Sequence, residues 1–254
     1  MNTLALKLSV TPILIVAASL AGRRWGEAIG GWLVGLPLTS GPVAFFLTLD
    51  QGPGFAEQAS AGSLAGTAAQ ACFALAYFQA AERASWPVAF SLGTVAYAFA
   101  AASLQALSLP HLALFFIALL TLALALRAMP PQPIRRVVAL LPLWDLPARM
   151  AVATALVVAV TAGAATLGPR LSGLLATFPI FATVLTVFAH RVQGATAARQ
   201  VLRGLLMGLY GFAAFFAVLS LLLSRASVPL AFLAAGAAAI LIQGVSFKLM
   251  RRAV

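Results

Sequence analysis

Acidic side chains are nearly missing from this sequence. Five Asp and Glu stand against sixteen Lys and Arg in 254 residues, and charged residues make up 8% of the chain. A water-soluble domain carries about a quarter charged residues, so an ordinary globular chain is excluded. Cysteine is reduced to Cys72, which excludes a disulfide framework and a Cys-x-x-Cys pair. His111 and His190 lie near no cluster of other ligand-type residues, so the ligand set of a zinc site is missing as well. There is no His-Glu-x-x-His, no nucleophile elbow and no phosphate-binding P-loop. The stretch "GEAIGG" at 26–31 superficially resembles a glycine-rich loop, but no strand precedes it and an apolar run follows. No metal or cofactor is implied, and an enzyme is not expected.

What is present is apolar surface: 63% of residues are hydrophobic and the mean hydropathy is +1.03. Runs of about 17 to 25 apolar residues cross roughly 30 Å of hydrocarbon as helices. A barrel would need short strands of alternating polarity, which do not occur. The reading is an all-α integral membrane protein of nine spans, at about 4–21, 29–49, 59–80, 86–107, 110–127, 148–167, 171–190, 201–223 and 228–248. The piece 135–147, with Trp144 and Asp145, reads as an interfacial connection rather than a tenth span. The N-terminal run, with Lys7 ahead of it, reads as an uncleaved first helix rather than a signal peptide. Cys72 reads as a small core residue in the third span.

"RASWPVAF" at 83–90 returns as "RASVPLAF" at 225–232, and the two lie 142 residues apart. At that offset about 20 of 65 positions between 26–90 and 168–232 are identical, among them Pro37/Pro179, Gln51/Gln193, Gly52/Gly194, Gly62/Gly204 and Gly66/Gly208. Matched Pro, Gln and Arg at one offset indicate a duplication. The chain then divides into a first four-helix repeat at 1–107, a connecting span and linker at 108–147, and a second repeat at 148–254. An even number of spans followed by one extra crossing places the second copy upside down. The positive-inside rule agrees: with the N-terminus outside and the C-terminus cytoplasmic, thirteen of sixteen basic residues fall inside, and only Lys7, Arg170 and Arg225 fall outside. Equivalent loops carry opposite charge, Asp50 and Glu57 in one against Arg191, Arg199 and Arg203 in the other. The basic balance therefore reports orientation rather than a nucleic-acid partner.

The stretch "SGLLATFPIFATVLTVFAHRVQGATAARQVLRGLLMGLYGF" at 172–212, with its Phe178-Pro179, the Gly194 loop followed by "AARQ", and the Pro229-x-Ala231 entry to the last span, resembles the GlpM family of small bacterial inner-membrane proteins. The resemblance covers residues 148–250 well and 7–105 more weakly, where "GLP" at 35–37 and the added Gly41 and Pro42 depart from it. It implies a bacterial inner (cytoplasmic) membrane location and units that pair antiparallel, here fused. It carries over no substrate and no site residues.

Spans 2 and 7 are interrupted by helix breakers: Gly35, Pro37, Gly41 and Pro42 in one, Gly173 and Pro179 in the other. Proline frees carbonyls that lipid cannot satisfy, so the breaks face protein, water or a solute. Paired breaks in two inverted halves mark a midplane binding site. Thr39, Ser40, Thr177 and Thr183, with Thr186 nearby, are the expected substrate contacts. Gln70, Tyr97, Tyr210 and Gln243 are secondary polar candidates that serve equally well as interhelical glue. Gly62/Gly66 and Gly204/Gly208 are assigned to close helix packing. The expectation is a transporter or permease for a small solute, alternatively a non-transporting membrane scaffold, or a channel or lipid flippase. Its partners are the bilayer and the solute, with a monomer or homo-oligomer both open. No carboxylate lies mid-span, which disfavours a simple proton relay, and no cluster of polar groups at either interface is expected.

Overall fold

The computed structural model describes residues 3–107, 109–132, 142, 144–166 and 178–252, with side chains described from Thr11 onward except at 160–166 and 251–252. Thr177 and Gly173 lie outside the described residues. Those residues form ten helices and no strand: α1 Thr3–Trp25, α2 Glu27–Val34, α3 Ser40–Gln51, α4 Pro53–Ala80, α5 Trp86–Ala106, α6 His111–Ala128, α7 Asp145–Thr166, α8 Ile180–Gln193, α9 Ala195–Leu222 and α10 Val228–Arg252. Among the described residues four segments are long and apolar enough to cross a membrane, against the nine spans expected: Trp86–Ala106, His111–Ala128, Ala195–Leu222 and Val228–Met250. The protein is α-helical and built for a membrane.

The outward surface shows why. On α5 Val88, Leu92, Val95 and Phe99 are exposed, and on α6 Leu112, Phe116, Leu120 and Leu124. Their spacing of three and four residues makes an apolar stripe on the outer face of each helix. Apolar surface of that extent suits lipid and not water. By contrast α9 buries Val201, Leu202, Leu205, Leu206, Leu209, Ala213, Phe216 and Leu219. It packs on α2, α4, α6, α8 and α10 and is the central strut of the bundle.

The closest approach is between α2 and α9. A Cβ built on Gly31 would overlap the Val201 carbonyl, and one on Gly204 would overlap the Ala28 carbonyl. One on Gly35 would lie 2.7 Å from the Gly208 Cα. Gly31-x-x-x-Gly35 therefore faces Gly204-x-x-x-Gly208, backbone on backbone. With no apolar driving force between helices in lipid, such contact supplies the van der Waals attraction and leaves room for little else. Gly204 and Gly208 thus serve packing as expected, against Ala28 and against Trp32 and Gly35, whereas Gly62, assigned to packing as well, has nothing within 4 Å of where a Cβ would lie.

Span 2 is two helices, not one. α2 stops at Val34 and α3 starts at Ser40. Gly35 and Pro37 lie in the gap, while Gly41 and Pro42 sit in the first turn of α3, where a missing proline donor does no harm. These last two open a helix instead of breaking one. The loops expected at 50–58 and 191–200 contract to a single residue each. Gly52 has φ 88° and Gly194 φ 93°, a region essentially reserved for glycine, and each reverses the chain between two helices.

Backbone bonds recur across the offset of 142. Gly52 donates to the Thr48 carbonyl at 3.0 Å and Gly194 to that of His190 at 3.0 Å. Gly41 donates to Pro37 at 2.8 Å and Thr183 to Pro179 at 2.8 Å. α4 and α9 are each 28 residues long and start 142 residues apart.

Replacing Gly204 with Ala is expected to destabilise the protein by at least the roughly 1–3 kcal/mol typical of overpacking. Gly62→Ala is the control, because nothing lies within 4 Å of a Cβ there. Thermal unfolding in detergent of the two variants side by side checks the difference; equal midpoints would refute the backbone contact.

Candidate functional site

Two places in the bundle hold polar groups where an all-apolar core would be simpler. One is the break in span 2. Between α1, the end of α2 and the start of α8 lies a cavity of about 50 Å³, lined by Leu14, Ala17, Ala18, Leu33, Val34, Leu36, Leu38, Thr39 and Phe181. That volume accommodates one or a few waters, not a metabolite. Thr39 is the residue before α3, and its hydroxyl makes no cap bond. Pro179 is buried and immediately precedes α8. The break and the start of α8 therefore meet at one depth, with the Thr39 and Phe181 side chains on the same void. Ser40 and Thr183 are not among its lining residues.

The hydroxyls divide into two groups. Thr48, Ser60, Ser63, Thr67, Thr121 and Ser220 each donate to a carbonyl of the preceding turn, at 2.7–3.1 Å. This is the usual way a membrane helix satisfies a hydroxyl. Ser19, Thr94, Thr183 and Thr186 do not follow it: each hydroxyl oxygen is buried without a partner, with Thr183 and Thr186 5% and 0% exposed. An orphaned buried hydroxyl costs about 1–3 kcal/mol, so these four stand apart from the rest, and two of them lie on α8.

Of the secondary candidates, Gln243 and Tyr97 each touch a second segment of the chain. Gln243 of α10, with its amide in the satisfied orientation, accepts from Trp32 Nε1 at 3.0 Å and donates to the Gly208 carbonyl at 3.1 Å. Ser246 beside it donates to the Met207 carbonyl at 2.6 Å. Tyr97 is buried edge-on against Phe178, with centroids 5.3 Å apart. Gln70 is buried and partnered. Tyr210 is half-buried at the rim of the core cluster around Phe73 and Tyr77.

The second place was not visible in the sequence. At the end of the bundle where α1 finishes and α2 begins, the fold gathers Arg23, Glu27, Asp145, Arg149 and Gln193. Arg23 Nη2 donates to Asp145 Oδ2 at 2.7 Å, and Arg149 Nε to the same oxygen at 3.0 Å. Asp145 and Arg149 are 0% and 2% exposed, with Arg149 also 5.3 Å from the Phe188 ring centroid. Gln193 Nε2 donates to Glu27 Oε1 at 2.6 Å, while Glu27 Oε2 is buried without a partner. The expectation that no polar cluster forms at an interface is thereby corrected. Asp145 does not belong to an interfacial connection; it opens α7, three residues earlier than the span expected at 148. Segments 120 or more residues apart meet here, and only the Arg23–Asp145 charge complement hinted at it.

Burial pushes the Glu27 carboxyl above the usual carboxylate range. The Gln193 bond and the charges of Arg149 and Arg23 oppose that rise, and Asp145 adds to it. The start of α2 also favours the anion, by about 0.3–1 kcal/mol. A charge buried without full pairing costs several kcal/mol, so burial wins.

The same end collects other cations. Arg199 Nη1 donates to Glu82 Oε1 at 2.9 Å, Arg203 donates to the Leu126 and Met129 carbonyls at the end of α6, and Arg191 lies 6.0 Å from the Trp144 ring centroid. His190 is within 3.2 Å of the Tyr77 hydroxyl through Nδ1. At the opposite end His111 Nδ1 is 3.8 Å from Glu57 Oε1. An open apolar groove of about 660 Å³ runs between α1 and α7, lined by Pro12, Met150, Thr154 and Val158 among others. Among the described residues no three His, Cys, Asp or Glu converge where they would hold a metal ion.

The class these features define is an α-helical protein with membrane-length apolar helices, a broken helix at its centre and a buried ionic cluster at one end. Comparison with protein-family models, with curated proteins and with solved structures finds no match.

Two outcomes test the cluster. Asp145→Asn leaves Arg149 buried without a carboxylate and is expected to cost about 3–5 kcal/mol in unfolding. For Glu27 the raised affinity means the folded chain holds its proton more tightly than the unfolded chain. Its stabilisation is complete below the ordinary carboxylate pKa and is lost as pH rises through the folded value. Wild-type melting midpoints should therefore fall relative to Glu27→Gln as pH is raised from about 4 to about 8; parallel profiles would contradict the assignment.

Proposed function

We propose that the chain is a multi-pass transporter or permease for a small solute in a bacterial cytoplasmic membrane, with its site between the break of α2 and α3 and the start of α8. The observation that carries this reading is the break between α2 and α3 opening on a small void that Thr39 shares with Phe181 of α8; Thr183 and Thr186, in the first two turns of the same helix but outside that lining, leave buried hydroxyls without a partner. Hydroxyls that decline their own helix are available to a solute. The void is too small for one, so access of a solute requires one half to move against the other.

The inverted-repeat arrangement supports this reading. Recurrent backbone bonds at an offset of 142 and the two 28-residue helices agree with a duplication. Contacts that bring Arg23, Arg149, Arg191, Arg199 and Arg203 to one end agree with an arginine-rich cytoplasmic face. A GlpM-like origin for each half fits the same plan. A lipid flippase is the second reading, resting on the lateral groove between α1 and α7; a scaffold without transport would have no use for the unpaired hydroxyls.

Metabolite pools compared between a deletion strain and an overexpressing strain identify the solute, and uptake into proteoliposomes tests it. Thr183→Val is expected to match or exceed the wild type in thermal stability, by up to about 1–3 kcal/mol, while uptake falls at least tenfold. Uptake unchanged by that variant removes Thr183 from the site. For the topology, single cysteines at Asp50 and Arg191, both exposed, in a Cys72→Ala background should label from opposite sides of the membrane. Labelling from one side rejects the inverted arrangement.

A further inference from the structure

The ionic cluster at the arginine-rich end is not used by the proposed solute site, yet it joins the two halves of the chain. Glu27 and Arg23 come from the first half, Asp145, Arg149 and Gln193 from the second. Arg199 with Glu82 makes a further link between the halves at the same end. If the two halves part for access, this is the end that must come undone.

Within the cluster the two carboxylates are not equivalent. Asp145 takes both guanidinium groups, from Arg23 and Arg149, and is fully paired. Glu27 has a neutral amide on Oε1 and nothing on Oε2, with 6% of its surface exposed. Its Oε2 lies against Gly22, where a Cβ would come within 3.0 Å. The charged and titratable groups facing it are Arg23 from α1 and Asp145 and Arg149 from α7; α8 presents the neutral Gln193, and no ionisable group of α9 acts on it. Arg24 is turned to the Trp25 ring, Arg199 to Glu82, and His190 to Tyr77. A carboxylate left without a cation in a closed, buried site is the form that burial disfavours, and its neutral form is the one that fits.

We propose that the Glu27 carboxyl, held by Gln193, is a proton-binding site: it carries a proton while the two halves are joined at this end and releases it to water when they part. The step is an uncomplicated exchange, carboxylate plus proton to carboxylic acid, with the proton drawn from the aqueous phase on the arginine-rich side. The site is built at one end only. Residues 142 positions from Arg23, Glu27, Asp145, Arg149 and Gln193 are Ala165, Pro169, Thr3, Lys7 and Gln51, a set with no carboxylate. With no carboxylate at the equivalent positions of the other copy, this carboxyl exchanges its proton with the arginine-rich side alone, so it makes the joining of the halves sensitive to the pH of that side. This extends the transporter reading and rests on it for the gating, though not for the proton itself.

Infrared spectroscopy of the full chain in lipid measures the proton directly. The wild type should show a protonated-carboxyl band that survives to a pH at which exposed acids are ionised. That band should be lost in Glu27→Gln, kept in Glu57→Gln, and shifted to a higher titration pH in Gln193→Leu, where the bond that favours the anion is gone. Wild-type and Glu27→Gln spectra that superimpose at every pH would overturn the proposal. For gating, a single cysteine at Thr39 in a Cys72→Ala background is exposed to a hydrophilic thiol reagent from the arginine-rich side. Its labelling rate should rise several-fold with pH in the wild-type background and stay flat with Glu27→Gln. Labelling that is independent of both pH and Glu27 overturns the gate and leaves transport standing. A titrating band with no labelling of Thr39→Cys under any condition leaves the proton site standing and overturns transport.

Discussion

The contact on which the rest of this structure depends is the meeting of two glycine pairs, Gly31 on α2 and Gly35 just past its end with Gly204 and Gly208 on α9. Because no side chain intervenes, α2 lies against the central helix along its whole short length. That position brings Glu27 to the end where Gln193 can reach it and directs the chain after Val34 toward the start of α8. A bulkier residue at any of the four positions would push α2 outward and dissolve both polar sites together. The polar chemistry is thus a consequence of an apolar fit, one that in lipid has only dispersion and shape to sustain it.

The helical, membrane-suited character of the chain was legible because membrane helices announce themselves by length and apolarity, and the break in span 2 because Pro37 marks it by chemistry alone. The exact role of Gly41 and Pro42 was not, since a proline reads the same at a helix start as at a break until the helix boundary is known. Gln243 and Tyr97 were legible as glue, since a buried amide or phenol must find a partner wherever it lies. The cluster of Glu27 with Gln193 and of Arg23 with Asp145 was illegible for a plain reason. Each residue sits at a helix end, where a solvated charge is the ordinary outcome, and only the fold shows that several such ends converge and close over one another. The silence of Thr183 and Thr186 was equally hidden, because a hydroxyl without a partner is a property of the tertiary structure and not of a residue type.

The two polar places differ in how they treat polarity. The cluster at the arginine-rich end satisfies nearly everything it contains and leaves one carboxyl oxygen over. The centre of the bundle leaves hydroxyls over and surrounds them with alanine, leucine and phenylalanine. Charged pairs hold the end firmly, whereas the centre is held by packing that can shift without breaking a bond. A molecule arranged this way is stiff at a rim and yielding at its middle.

Arg203 has a consequence for how the molecule is made. Its guanidinium, reaching from α9, donates to the Leu126 and Met129 carbonyls at the end of α6. The residue 142 positions earlier is Ala61, which can offer nothing similar. During synthesis α6 leaves the ribosome well before Arg203, so its final turn must wait, hydrated at the membrane surface, until α9 has been threaded. The segment born between the two halves is finished by the later one, and the first half cannot reach its final form while it stands alone.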